Sequence, residues 1–135
     1  MKITDITINR IKSSENHQPF SGAPGGTILQ VHTDEGVTGI SEAGRNFSVV
    51  KTWLEDFIKP LLIGNDPCQP KKIWERLSLG QGQQATRFPC QIVGAIDIAL
   101  WDITGQCAGM PLYTLFGGAN RTTIPLYWSS GNGWS

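Results

Sequence analysis

The stretch Ala95–Gly118, AIDIALWDITGQCAGMPLYTLFGG, decides the reading of this 135-residue chain. A helix with one face in water needs a single apolar stripe. Here one helix carries two. At 100° per residue, Ile92, Ile96, Ala99, Leu100, Ile103 and Cys107 fall on one side, and Gly94, Ile98, Trp101, Gly105 and Gly109 fall roughly opposite. Glycine inside a helix costs about 1 kcal/mol against alanine, so several on one face predict a backbone that something approaches closely. The helix should run from about Pro89 to Gly109 and stop at Pro111. Leu112–Phe116 add a short helical turn, which Gly117 and Gly118 break.

The same helix carries Asp97 and Asp102. Five residues apart, they point about 140° from one another and cannot share one substrate atom. Carboxylates on so apolar a helix need hydrogen-bonding or charged partners, and Arg87 and Arg121 are the candidates.

Upstream of the helix the period is that of strands. Lys2–Ile11 reads as the first, with a slip in apolar spacing between Ile8 and Ile11 that predicts a bulge near Asn9. Thr27–Thr33 is the second, and the turn at Asp34–Gly36 leads into a third, Val37–Glu42. His32 alternates with Ile28 and Gln30 and reads as structural. Between the first two strands, Ser13–Gly26 has no periodicity at all.

The pattern then turns helical. Val50, Trp53, Leu54, Phe57, Ile58 and Leu61 make one face, with Ser48 as the expected N-cap. A further helix follows NDPCQPKK, capped by Asp66, with Pro67 or Pro70 in its first turn and Ile73, Trp74 and Leu77 facing inward. Trp53, Trp74 and Trp101 read as core. Gly80–Thr86, GQGQQAT, is a loop without the Gly-Lys-Ser/Thr ending of a phosphate-binding loop. Thr123–Ser129, TIPLYWS, reads as a buried strand. The fold class is α+β, a three-stranded antiparallel sheet followed by a helical bundle.

Eleven basic and eleven acidic residues cancel without clustering, which argues against nucleic-acid and membrane-surface partners. The alternating start, MKITDITINRIK, is unlike a signal peptide. Cys68, Cys90 and Cys107 are odd in number and widely spaced, so neither a disulfide framework nor a zinc site is expected and a reducing cytoplasm fits best.

The run Ala95–Gly118 resembles the end of the N-terminal capping domain in the mandelate racemase/muconate lactonizing enzyme branch of the enolase superfamily. The family pattern there is A-I-D-x-A-L-W-D-I-x-G-K-x-x-G-x-P-x-x-x-L-L-G-G. This chain departs from it at Gln106, in place of lysine, and at Phe116, in place of the second leucine. VHTDEGVTGISEAG and FIKPLLIGNDP match as the hairpin and the end of the first helix.

The resemblance implies a capping domain over residues 1–118, with 119–135 a linker and the first strand of an otherwise absent (β/α) barrel. The implied enzyme abstracts the proton α to a carboxylate and stabilises the enolate with Mg²⁺, as an acid-sugar dehydratase or racemase. The family's Lys-x-Lys motif is absent, so no catalytic residue and no metal ligand is expected here, and the chain alone should be inactive. The glycine-lined helix face would then lie against the barrel.

Two loops would cover the barrel mouth and choose the substrate. The candidates on them are His17, Phe20 and Ser21 in the first, and Arg45, Asn46 and Phe47 in the second. Their polar character favours a hydroxy or sugar acid as the small-molecule partner. Homo-oligomerisation or self-association through exposed apolar surface is also expected. The alternatives are a free-standing binding or interaction module and a non-functional truncation.

Overall fold

Alternation of apolar and polar residues sets the sheet. In this computed structural model, which describes residues 1–11, 26–79 and 88–126, three strands pair antiparallel in the order β1 (Ile3–Arg10), β2 (Thr27–Thr33) and β3 (Thr38–Glu42). Leu29, Val31, Ile6 and Ile3 point into the core, while Asp5, Thr7, Gln30 and His32 line the opposite face. Gly36 takes φ +79° in the β2–β3 turn, a conformation that L side chains rarely adopt. The register shift falls between Ile3 and Asp5, not near Asn9. Ile8 and Asn9 pair regularly with Leu29 and Ile28, so the slip in apolar spacing marks the strand's end. His32 bridges the polar face, its Nε2 2.8 Å from Thr7 Oγ1 and its Nδ1 3.3 Å from Thr38 Oγ1.

The first helical rod comprises α1 (Phe47–Trp53), a wide π turn (Leu54–Ile58) and α2 (Lys59–Leu62). Its buried stripe is Val50, Leu54, Ile58 and Leu62, a strict four-residue repeat. An α-helix would rotate such a stripe off the core, and the π turn, with more residues per turn, keeps it aligned. Phe57 is therefore turned out to 47% exposure, and Leu61 lies only at the rim. The N-cap is Asn46, two residues before the expected Ser48: its side chain accepts from the Val49 amide at 3.3 Å.

Asp66 holds the turn before α3 (Pro70–Leu79), accepting from the Cys68 amide at 3.0 Å. Ile73 and Leu77 are buried, but Trp74 is 45% exposed and does not join the core. Trp53 and Trp101 are half-buried. Each is an edge piece: Trp53 packs on Phe57 and Phe88, and Trp101 on Phe116.

The long helix α4 (Cys90–Ala108) ends on Gly109 at φ +60° and is followed by α5 (Leu112–Leu115). Ile92, Ile96, Ala99, Leu100 and Ile103 are buried as the periodicity requires, whereas Cys107 runs past the sheet and is exposed. The helix lies close on β3, and a Cβ at Gly39 would collide with the Ala99 carbonyl. Asp102 finds its partner here in the backbone amide of Ile40, at 2.9 Å, and not in an arginine. Arg87 lies outside the described residues.

The second face of α4 divides in two. Gly105 is closely covered by this chain's own Leu112 and the Met110 carbonyl, and not left open for another domain. Gly94 has nothing near it, and Ile98 beside it is 56% exposed. Thr123–Leu126 form no strand in the described residues, with Ile124 79% and Leu126 95% exposed. A strand needs a neighbour for its backbone groups, and none of β1–β3 pairs with this segment.

Candidate functional site

The candidate site lies at one end of the sheet, where β1 finishes, β2 begins and β3 finishes. The Ile11 amide donates to the Gly26 carbonyl at 2.8 Å, which closes the base of the β1–β2 connection. Beside it, the Thr27 amide donates to Gly44 and the Ala43 amide to Thr27, each at 2.8 Å. The two predicted substrate loops therefore leave the sheet from adjacent positions. The start of α4 closes the third side: Gln91 packs so near Gly44 (φ +83°) that a Cβ there would overlap its amide.

Of the six candidate contact residues, His17, Phe20 and Ser21 lie outside the described residues, as do Gly80–Thr86 and Trp128. The other three form one short turn. Arg45 is exposed, and its carbonyl accepts from the Phe47 amide at 3.1 Å. Asn46 is exposed, with its side chain occupied in capping α1. Phe47 is half-buried beneath the Arg10 guanidinium, 5.1 Å from the ring centre. Arg10 was missed in the sequence because it reads as the polar end of a strand. Its contact with Phe47 ties the first loop's base to the second loop.

The remaining carboxylate on α4, Asp97, has no hydrogen bond or ion pair among the described residues, and partial burial raises it above the ordinary carboxylate value. No group of three His, Cys, Asp or Glu side chains among the described residues could hold a metal ion. These residues therefore do not fit the Mg²⁺ that the resemblance implies. An open groove of about 480 Å³, lined by residues that include Cys68, Lys71, Glu75 and Trp101, lies between α3 and α4. It adjoins the α2–α3 turn, whose Asn65 carbonyl accepts from the Ile3 amide at 2.9 Å at the opposite end of the sheet. Among the described residues no helix is long and apolar enough to cross a membrane.

Residues 13–117 match the family described as Mandelate racemase / muconate lactonizing enzyme, N-terminal domain. A D-galactonate dehydratase family member from Marinomonas sp. (strain MWYL1) is 44% identical over 102 residues. The D-mannonate dehydratase of Novosphingobium aromaticivorans is 41% identical over the same length. Each match covers 73% of this chain and 25% of the relative, so the chain spans about a quarter of these relatives' length. The crystal structure of a mandelate racemase/muconate lactonizing family protein from Azoarcus sp. EbN1 superimposes with a TM-score of 0.76 at 31% identity, over 93% of this chain and 33% of that one. The sheet, the helix order and the sequence agree: the chain belongs to the mandelate racemase/muconate lactonizing enzyme family and forms its N-terminal domain.

Proposed function

We propose that this chain is the substrate-selecting cap of an acid-sugar dehydratase of the enolase superfamily. Residues 1–118 are the cap, and 119–135 are the linker and the segment that becomes a barrel's first strand once a neighbouring strand pairs with it. The observation that carries this reading is the common origin of the two loops. The β1–β2 connection and the β3–α1 turn leave the sheet side by side, joined by Arg10 over Phe47. In this reading Arg45 meets the substrate carboxylate or a hydroxyl, Phe47 shapes the wall, and His17, Phe20 and Ser21 approach from the other loop. Asn46 positions the turn by capping α1. The dehydratase names of the two relatives support a sugar acid as substrate. The Mg²⁺ ligands and the general base belong to the barrel, so residues 1–135 alone should show no turnover. A cytoplasmic location accords with three free cysteines.

The test is a chimera in which residues 1–118 replace the matching segment of the Novosphingobium D-mannonate dehydratase. The chimera should dehydrate a sugar acid, and Arg45→Ala should lower kcat/KM by about tenfold or more, the scale of one lost charge-assisted hydrogen bond. A folded, active chimera indifferent to alanine at Arg45, His17 and Phe20 overturns the substrate-contact assignment. Calorimetry showing tight, stoichiometric Mg²⁺ binding to residues 1–135 overturns the placement of the metal.

A further inference from the structure

Gly44 lies where the β3–α1 turn leaves the sheet, and it is held from two directions. From the sheet, its carbonyl accepts at 2.8 Å from the amide of Thr27, a buried residue. From the helix side, the Gln91 amide fills the space that a Cβ on Gly44 would take. Gly44 also sits at φ +83°, so two independent constraints call for glycine here.

Gln91 can press on Gly44 because its own backbone is fixed. It is the second residue of α4, and the next two, Ile92 and Val93, are buried. Their amides both donate to the Pro89 carbonyl, at 2.9 and 3.2 Å, which closes the first turn of the helix. Gln91 is otherwise exposed, and what it contributes is the bulk of its amide against the Gly44 backbone. Arg45 follows directly, and its carbonyl accepts from the Phe47 amide at 3.1 Å. The direction in which Arg45 leaves the sheet is therefore set at Gly44.

We propose that Gln91 is a positioning residue, a wedge on Gly44 that fixes where Arg45 points. This rests on the reading of Arg45 as a substrate contact. Glycine takes several backbone conformations at similar cost, so without the wedge the turn would sample more than one. A substrate-binding group works best when held within about 0.5 Å of its productive place, and a shift of about 1 Å can cost about a hundredfold in rate. Support from a helix gives more precision than support from a loop. The role needs the bulk of the side chain and not its hydrogen-bonding atoms, which separates it from direct contact with substrate.

The experiment has two arms. In the 135-residue chain, Gly44→Ala should lower the melting temperature, and adding Gln91→Ala should restore part of it by clearing space for the methyl. Gln91→Ala alone should speed amide exchange at Phe47 and leave Leu29 unchanged. In the Novosphingobium chimera, Gln91→Ala should lower kcat/KM by about threefold or more, whereas Gln91→Met, similar in length but without the amide, should keep most of the native value. In an Arg45→Ala background Gln91→Ala should cost nothing further, as expected of two residues acting as one unit. An additive loss in that background, or an equal loss with methionine and alanine, overturns the proposal. So does a Gly44→Ala chain whose melting temperature Gln91→Ala does not raise. If Arg45→Ala is itself silent, the substrate-contact reading falls and this inference with it. If Arg45→Ala is harmful and Gln91→Ala silent, only this inference falls.

Discussion

The carboxylate of Asp102 accepts a hydrogen bond from the Ile40 amide at 2.9 Å, and one helical turn later Gln106 donates to the Thr38 carbonyl at the same distance. β3 is an outer strand of the sheet, and an outer strand presents unpaired backbone groups. Four residues along a helix advance about 6 Å, and two along a strand about 7 Å. A helix lying along the strand can therefore satisfy alternate edge groups with side chains one turn apart. Gln106 replaces the family's lysine yet still supplies a donor.

Asp102→Ala should lower stability by about 1–2 kcal/mol, since it strands a backbone amide that a charged acceptor now serves. Urea unfolding measures the loss, and amide exchange at Ile40 should accelerate ahead of Leu29 in the strand centre. Gln106→Lys should stay within about 0.5 kcal/mol of the native chain, because lysine can donate to the same carbonyl.

Two glycines should answer alanine in opposite directions. At Gly39 the new methyl would collide with the Ala99 carbonyl, which is backbone and cannot swing aside, and would also crowd the Ile103 side chain. A loss of about 3 kcal/mol or more follows. At Gly94 the space is open, so Gly94→Ala should stabilise the chain by about 1 kcal/mol through helix propensity. In the chimera the same change should lower activity if the Gly94–Ile98 face meets the barrel. Unchanged activity there would remove that face from the interface.

Acid and base should weaken the fold through different residues. Partial burial alone would raise the Asp5 carboxyl, but Lys59, 3.1 Å away, and the Ile6 amide outweigh it and bring it below its ordinary 3.8. Its contribution is present above pH 3.8 and is lost as the pH falls through the folded value. Partial burial also opposes charge on Lys59, yet Glu55 and Asp5 raise it above 10.5, so its contribution is complete below that pH and is lost as the pH climbs through the folded value. Both groups are partly solvated, and Lys59→Met should cost under about 1 kcal/mol at pH 7. Asp97 works the other way. Burial raises it, so its charged form weighs against the fold once the pH passes from 3.8 through the raised value. Asp97→Asn should raise the urea midpoint at neutral pH and leave it unchanged well below pH 3.8.

Exposed apolar side chains after α5 should drive association. Ile124 and Leu126 are almost wholly in solvent. Changing both to lysine should lower the sedimentation-derived mass toward the monomer and leave helix content unaltered. A native chain that is already a monomer at high concentration would refute self-association through this segment.

Local sequence determined much of this protein. The strand alternation, the Gly36 turn, the span of α4 and its stop at Gly109 were all legible, because each depends on neighbours a few residues away. The run Ala95–Gly118 also carried the family, and with it the kind of site to seek. What the sequence could not settle lies wherever a residue answers to a distant part of the chain. Asp102 meets Ile40, and Arg10 meets Phe47, only after the helix and loops have docked. Asn46 displaced Ser48 as the cap, since the entry angle of α1 is set by the sheet end it leaves. The π turn obeys the same logic. Periodicity records which side chains prefer burial, but the core surface against which they pack decided that Val50, Leu54, Ile58 and Leu62 would share one line, leaving Phe57 to solvent.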